Sequence, residues 1–440
     1  MIKFGMNRDF LIKLDSWKNK TARKPLVLNG ARQVGKTYGV KLWGDRAFKR
    51  TIYLNFEKDR QLSSIFQDSL DAAIIIQKIQ NHFNLQLDFK TDLIFFDEVQ
   101  VCGPALNSLK YFCEQRPEIY IIAAGSLLGL HLNSDSFPVG KIEFLEIYPM
   151  TFFEFLEALN KKNLLNSFLE NYTINEYEHV QLVKYLKYYL ITGGAPEVVS
   201  TFQNLNPESH STWETIREIQ HNLLLSYMAD MAKHCGKINA MHLERLLRQV
   251  PNQLAKTQNK RFHFKNVLPG KNKYSQLVDV IDWLSAAGLI YKVPIANQAQ
   301  SPLAAYTKES FFKLFVFDVG LLGALADLSY QEILTYDFGT FKGYLLENFV
   351  LQELIPTFGK KIYSYAESES EVDFILQSSG KIIPIEVKSG VNLRSKSLQN
   401  VIKKYQLPKA LRLSLENRAR EHETRLTDFP LYVANFRGIY

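Results

Sequence analysis

The feature that most constrains this chain is an eight-residue segment near its amino terminus. Residues 30–37 read GARQVGKT, which matches the G-x-x-x-x-G-K-T (Walker A) pattern and directly follows an apolar run at 25–28. Such a loop connects a buried strand to a helix, because its backbone N–H groups surround the phosphates of a nucleotide at the helix N-terminus. The segment therefore predicts an α/β domain with a parallel sheet that binds a nucleoside triphosphate.

The residue types in this loop predict separate contacts. We expect Lys36 to reach the β- and γ-phosphates and the Thr37 hydroxyl to ligate Mg²⁺. ATP and Mg²⁺ are therefore the expected cofactors. The predicted nucleotide-binding residues are Gly30, Gln33, Val34, Gly35, Lys36, Thr37 and Tyr38.

A second segment, at 92–98, reads DLIFFDE and ends an apolar run with two adjacent carboxylates, as in a Walker B strand. A continuous apolar run is typical of a buried parallel strand, and ligands bind at the carboxyl ends of such strands. We expect Asp97 to hold Mg²⁺ through water and Glu98 to orient the attacking water as a base. Ser126 follows another apolar run and is predicted to be a sensor residue; an ordinary turn serine is the alternative.

With these motifs the chain resembles the prokaryotic AAA+ ATPases that carry a restriction-endonuclease-like C-terminal domain of unknown function. The resemblance extends nearly end to end and implies an AAA+ domain followed by an endonuclease-like fold. Lys141 stands where related sequences often have arginine, so no arginine finger is assigned. Further segments that contribute to the resemblance lie at 124–126, 137–141, 148–152, 193–197, 318–322, 343–349 and 386–388.

Length and composition indicate a multidomain protein outside the membrane. The 440 residues exceed the size of one hydrophobic core. No apolar run approaches the roughly 18 residues needed to cross a membrane, and the first residues lack the apolar core of a signal peptide. The 3 cysteines fit no metal spacing and favour a reducing compartment. We therefore expect a cytoplasmic protein.

The positive charge of the chain is concentrated in one segment. Residues 233–273 hold ten Lys or Arg and one acid, against a net charge of +8 for the whole chain. The pattern predicts a winged-helix-like module with helices at 242–249 and 274–286, a strand at 288–293 and a wing in the loop that follows. A basic face on such a module is typical of DNA binding, although a merely solvated face is the alternative. The predicted DNA-binding residues are Lys256, Lys260, Arg261 and Lys265.

A hairpin is predicted near the carboxyl terminus, where two apolar segments at 371–376 and 382–388 flank a turn at 379–380. With this turn at the centre, Asp373 lies opposite Glu386, and alternate apolar residues face the other way. Residues 391–440 add ten basic residues against four acids. The segment therefore combines paired carboxylates with a basic surrounding.

Two acids beside a lysine are typical of the D…E-x-K nuclease site, in which carboxylates hold Mg²⁺. A third acid is expected from the preceding helix, predicted at 340–354, on an otherwise apolar face. An ordinary cross-strand ion pair is the alternative. The predicted nuclease-like site consists of Glu347, Asp373, Glu386 and Lys388.

These patterns predict four parts: a P-loop AAA+ ATPase domain at 1–150, a helical lid or connector at 151–232, a basic winged-helix-like domain at 233–307, and a PD-(D/E)xK nuclease-like α/β domain at 308–440. The predicted function is an ATP-binding and ATP-hydrolysing AAA+ ATPase associated with DNA. Two alternatives stay open. One is an ATP-regulated, metal-dependent DNA endonuclease, and the other is an ATP-dependent switch or scaffold for a protein partner with an inactive nuclease fold. Assembly into a homo-oligomer also stays open.

Overall fold

The structure of the chain is a computed structural model that describes residues 7–126, 138, 140–235, 237–256, 261–367, 370–378, 380–390, 394–417, 420–421 and 425–440. The chain divides into two compact units, one of residues 1–148 with 286–288 and one of residues 149–285 with 289–440. Each unit is built on its own sheet. Within the described residues, no helix is both long and apolar enough to span a membrane.

The first unit contains a five-stranded, all-parallel sheet with strand order β2-β3-β4-β1-β5. The strands are β1 (Leu26–Asn29), β2 (Arg50–Asn55), β3 (Asp92–Asp97), β4 (Tyr120–Ala124) and β5 (Glu143–Glu146). The helices are α1 (Asp9–Lys18), α2 (Lys36–Ala47), α3 (Ala72–Phe83) and α4 (Gly103–Gln115). All six residues of β3 are buried, as its apolar run predicts. The parallel α/β domain predicted from the phosphate loop is therefore confirmed.

Aromatic packing fixes the end of β3 in this unit. The Phe96 ring lies 5.8 Å from the Phe56 ring and 5.4 Å from the Phe66 ring, both edge to face. All three side chains are fully buried among aliphatic residues of α3 and α4. Edge-to-face aromatic contacts have a preferred geometry, so this cluster holds the carboxyl end of β3 in one position. The two acids that follow Phe96 therefore leave the sheet from a rigid base.

The second unit contains an eight-stranded mixed sheet with strand order β12-β13-β11-β10-β9-β8-β6-β7. Its strands are β6 (Ile290–Ala296), β7 (Thr307–Val316), β8 (Ile362–Glu367), β9 (Ser370–Ser378), β10 (Lys381–Val387), β11 (Ala410–Ser414), β12 (Arg420–Glu421) and β13 (Leu426–Pro430). Its helices are α5 (Phe152–Ala158), α6 (Asn166–Asn171), α7 (Glu176–Thr192), α8 (Pro196–Phe202), α9 (His210–Cys235), α10 (Lys237–Lys256), α11 (Tyr274–Ala286), α12 (Val319–Leu325), α13 (Tyr330–Thr335), α14 (Phe341–Phe358) and α15 (Lys396–Tyr405).

The predicted C-terminal hairpin has the predicted register. In β9 and β10, Phe374 pairs with Ile385 and Leu376 pairs with Ile383. These four side chains are buried, so one face of the hairpin lies in the core. Ile375 and Ile382, which point to the opposite face, are buried as well, so the predicted register depended on the position of the turn and not on alternation alone. Ser379, in the predicted turn, lies outside the described residues.

The elements predicted for the basic segment are present with shifted ends. The first helix, predicted at 242–249, is longer and forms α10, whereas the second coincides with α11. The strand begins at Ile290 instead of residue 288, because Gly288 has a φ of 74° and ends the helical stretch. The strand β6 pairs antiparallel with β7 and also parallel with β8. The hairpin of the basic segment and the C-terminal strands therefore share one sheet.

Two glycine-rich segments and a buried acid meet inside the second unit. Asp318 is fully buried, and its carboxylate accepts hydrogen bonds from the Gly194 N–H at 2.6 Å and the Leu321 N–H at 3.0 Å. A Cβ on Gly320 would lie 2.5 Å from the Thr192 carbonyl. Burial raises the pKa of Asp318 to about 6, although these hydrogen bonds oppose the shift. The motifs at 193–197 and 318–322 thus have a packing role that the sequence did not suggest.

Candidate nucleotide site and basic surface

The phosphate loop has a backbone that most residues cannot adopt. Gly30, Gln33 and Gly35 have φ values of 146°, 62° and 93°. A Cβ on Gly30 would lie 2.2 Å from the carbonyl oxygen of Ile147, so only glycine fits there. Successive backbone N–H groups in such turns form an anion-binding concavity at the start of α2. The predicted loop residues therefore lie in a conformation suited to phosphate.

Lys36 is buried in this loop, with only 8 % of its surface exposed. Its ammonium group donates hydrogen bonds to the carbonyl oxygens of Gly30 at 2.8 Å and Ala31 at 2.7 Å. Burial lowers the pKa of Lys36 to about 8, and the nearby carboxylates of Glu98 and Asp97 offset part of that shift. Because burial makes the positive charge of Lys36 less favourable, a negatively charged ligand such as a triphosphate would stabilise it.

The Asp97 carboxylate lies at the carboxyl end of β3, where three side chains hold it. Thr37 Oγ1 donates to Asp97 Oδ1 at 3.0 Å, and Tyr53 OH donates to Oδ2 at 2.7 Å. Asn55 Nδ2 adds a third contact at 3.2 Å. Tyr53 and Asn55 were not predicted; the signal was present, since both are polar residues at the end of a strand. Hydroxyl and carboxylate oxygens are ligands that Mg²⁺ prefers, so Thr37 and Asp97 fit this ion.

Glu98 leaves the strand in a left-handed conformation, with a φ of 52°. Its carboxylate accepts a hydrogen bond from Gln100 Nε2 at 2.6 Å, and the same amide group lies 3.3 Å from Ser126 Oγ. Ser126 follows β4, which lies between β1 and β3 in the sheet. The strand order therefore brings the sensor candidate to the same edge as both acids. Gln100, which links them, had no role in the sequence prediction.

Arg8 is a further residue that the sequence did not reveal. It is buried, and its guanidinium donates to the carbonyl oxygens of Val34 at 2.9 Å and Tyr148 at 2.7 Å. The first of these bonds fixes the phosphate loop from the side of α1. No local pattern could have indicated it, because the partners are 26 and 140 positions away in sequence. Tyr38, predicted to contact nucleotide, is half exposed at the start of α2.

The predicted DNA-binding residues are only partly described. The Lys256 side chain and Lys260 lie outside the described residues, whereas Lys265 is exposed. The Arg261 guanidinium lies over the Phe311 ring, 3.4 Å from its centre, and partial burial lowers the pKa of Arg261. Arg261 is therefore part of a built surface and not a freely solvated side chain.

Two further arginines extend the basic surface along α10. Arg245 and Arg248 are exposed and lie three residues apart, so they share one face of the helix. With Asn266 and Asn272 they line an open cavity between α10 and the loop that follows it. Arg248 also pairs with Glu244 at 3.0 Å. We refer to Arg245 and Arg248 below as the basic face.

The hairpin acids of the predicted nuclease-like site have protein partners. Asp373 Oδ2 accepts a hydrogen bond from the Val387 N–H at 2.9 Å. Lys388 Nζ donates to Glu386 Oε1 at 2.8 Å, and both side chains are largely buried. The contact between Lys388 and Glu386 runs along β10 and the residue that follows it, so it is not the cross-strand ion pair of the alternative, and the D…E-x-K assignment stays a prediction.

Glu347 does not complete a metal site with the hairpin acids. It is 1 % exposed on α14, and its Oε2 lies 3.9 Å from Lys313 Nζ on β7. Among the described residues, which include all three acids, no group of three or more His, Cys, Asp or Glu side chains could hold a metal ion. The predicted grouping of Glu347, Asp373 and Glu386 around a metal is therefore not found among the residues that the structure describes. A buried lysine, which the helix pattern did not reveal, lies beside Glu347.

Family comparisons agree with the geometry of the first unit. Residues 22–156 match the family model of an AAA domain. Residues 183–332 and 342–432 match two domains of unknown function, DUF8612 and DUF4143. No curated protein matches the chain. The parallel sheet and the phosphate loop thus agree with the match of residues 22–156 to an AAA domain.

The chain is also similar to solved structures at low sequence identity. A Walker-type ATPase of Pyrococcus abyssi is 15 % identical, with 73 % of this chain and 96 % of that chain covered and a TM-score of 0.45. The Aeropyrum pernix ORC1 protein, solved in complex with DNA, is 12 % identical over 74 % and 94 % of the two chains, with a TM-score of 0.34. The Thermotoga maritima RuvB Holliday junction branch migration motor is 13 % identical over 70 % and 92 %, with a TM-score of 0.33.

Proposed function

We propose that the chain hydrolyses ATP at the carboxyl edge of the five-stranded sheet and acts in association with DNA. The observation that carries the ATPase proposal is the hydrogen bond between Thr37 and Asp97, because it joins the phosphate loop to the acidic end of β3. Glu98 and Ser126 lie at that same edge, linked by Gln100. This arrangement provides both a phosphate-binding site and a carboxylate that can act on water.

Each residue of the site has its own role in the proposed hydrolysis. Lys36 balances the charge on the phosphate oxygens as the bond to the γ-phosphate breaks. Glu98 holds the attacking water and accepts its proton, while the Gln100 amide keeps the carboxylate oriented. Mg²⁺, which Thr37 and Asp97 would hold, neutralises phosphate charge when it is bound. We assign Ser126 the sensor role, in which its hydroxyl donates a hydrogen bond to the bound phosphate.

The ATPase proposal is tested by separating binding from hydrolysis. Glu98→Gln keeps the shape of the side chain but removes the base, so it should retain ATP affinity and lose about 100-fold or more in kcat. Lys36→Ala should weaken ATP binding itself, because it removes the cation that meets the phosphates. Phosphate release and ATP binding are measured for each variant. Glu118→Gln is the matched control, since Glu118 is an exposed acid of the same unit that pairs with Arg116.

Two outcomes would contradict the assignment. Wild-type phosphate release by Glu98→Gln would exclude Glu98 as the base. Unchanged ATP affinity in Lys36→Ala would exclude the phosphate loop as the binding site.

The basic face supports the DNA part of the proposal. Each cation that neutralises a phosphate releases counterions, so affinity for DNA should fall steeply with salt. Replacing Arg245 and Arg248 together by glutamine should lower the slope of log affinity against log salt by about two units. Lys162→Gln is the control, because Lys162 is a lysine of the same unit that pairs with Glu157. An unchanged slope in the double variant would mean that the face is only solvated.

A further inference from the structure

A cavity at the edge of the basic segment combines aromatic, apolar and positively charged walls. It lies in the second unit between β6, β7 and β8, and its volume is about 160 Å³. Ile295 and Ala366 form apolar wall, whereas Tyr306 and Phe311 supply ring surface. Arg261, Lys308 and Asn297 complete the lining. Neither the family matches nor the ATPase site accounts for this combination.

The charged and aromatic groups of the cavity are mutually arranged. The Arg261 guanidinium lies 3.4 Å from the centre of the Phe311 ring, which is close stacking distance, and Lys308 Nζ lies 5.6 Å from the same centre. Tyr306 OH is held by a hydrogen bond to Gln300 Oε1 at 3.3 Å. A stacked guanidinium presents a flat, positively charged surface, so a second planar group can lie against it.

The size and chemistry of the cavity fit one planar ring with a nearby negative charge. A protein cavity of about 150 Å³ accommodates a benzene-sized molecule. Asn297 offers both a donor and an acceptor to the edge of such a ring. A free phosphate ion would leave the apolar and aromatic walls uncovered, so the lining favours a ligand whose ring enters the cavity while its charge stays beside Arg261 and Lys308.

We propose that this cavity binds an unpaired nucleobase of single-stranded or locally opened DNA. Tyr306, Phe311 and the Arg261 plane provide the stacking surface, and Arg261 and Lys308 meet the adjoining phosphates. Base stacking on aromatic side chains with nearby cations is the general mode of single-strand recognition. The proposal rests on the DNA association proposed above and specifies the form of DNA that is bound.

The test compares single-stranded and duplex DNA by fluorescence anisotropy at fixed salt. Phe311→Leu keeps an apolar side chain but removes the ring face, so affinity for the single strand should fall about 5- to 100-fold, while duplex affinity stays within about twofold. Tyr306→Leu removes the other ring of the cavity and leaves every charge in place, so it should show the same selective loss. It also keeps the test decisive if circular dichroism shows that Phe311→Leu does not fold. Tyr177→Ala is the control, because this aromatic side chain is 71 % exposed on α7.

Four other outcomes would overturn the proposal, and each can be distinguished from the others. Wild-type affinity of both variants for the single strand removes the cavity from DNA binding and leaves DNA association intact. An equal loss on single strand and duplex indicates plain phosphate contacts. If the wild-type protein hydrolyses ATP but binds no DNA, the DNA association fails and the cavity proposal fails with it. Binding of single-stranded RNA alone would exclude DNA as the ligand.

Discussion

Gly30 offers a sharp test of how the phosphate loop is built. Its φ of 146° is a conformation that an alanine adopts only at a cost of about 1–3 kcal/mol. The added Cβ would also lie 2.2 Å from the Ile147 carbonyl oxygen. That carbonyl cannot easily move, because the Ile147 N–H bonds to the Asn29 carbonyl at 2.7 Å. Overpacking of this kind costs about 1–3 kcal/mol more.

The strain in Gly30→Ala should appear in one of two measurable forms. If the loop keeps its conformation, the strain should lower the Tm of the first unit by about 5–15 °C, since each kcal/mol shifts the Tm of a domain of this size by a few degrees. If the loop moves instead, ATP affinity should fall about 100-fold, which corresponds to about 3 kcal/mol. Thermal unfolding with and without ATP and Mg²⁺ distinguishes the two.

The matched control for this experiment is Gly103→Ala. Gly103 begins α4, and a Cβ there would meet nothing within 4 Å. This variant should be neutral or slightly more stable, because alanine is the better helix residue. The reasoning is refuted if Gly30→Ala keeps both the Tm and the ATP affinity of the wild type.

Three further predictions concern the second unit. Gly320→Ala should lower the Tm by several degrees, because an added Cβ would lie 2.5 Å from the nearest atom. Gly343→Ala should leave the Tm unchanged, because the nearest atom to its Cβ is 3.8 Å away. Circular dichroism melts of both variants test this difference. The pKa of Asp318 is raised from 3.8 to about 6 in the folded state, so the folded state binds the proton more tightly than the unfolded state does. The free energy of unfolding should therefore fall by up to about 3 kcal/mol as the pH rises from about 4 to 6. Urea unfolding at several pH values should reveal this slope, and Asp318→Asn should lack it; an equal slope in the variant would exclude Asp318 as its source. Supercoiled plasmid should stay intact with Mg²⁺ or Mn²⁺, and nicking that Asp373→Ala abolishes would restore the nuclease hypothesis.

Patterns that are local in sequence predicted much of this molecule. The phosphate loop and the acidic end of β3 follow from residue types at fixed spacing, because phosphate binding needs glycines and a lysine, and Mg²⁺ binding needs a hydroxyl and a carboxylate. The hairpin register at 370–387 was predicted by placing the turn at 379–380, and the observed strand pairs agree with it. The ends of helices and strands were less well predicted, as Gly288 illustrates, because a single backbone angle decides where an element stops.

Contacts between distant segments were decided only by the tertiary structure. The sequence placed Thr37 and Asp97 at one sheet edge but did not show that Tyr53 on the neighbouring strand holds the carboxylate. It placed Glu347 on an apolar face and predicted a metal partner, whereas Lys313 lies beside it. Periodicity fixes which way a side chain points relative to its own element, but the identity of the group it meets depends on the order in which strands and helices pack.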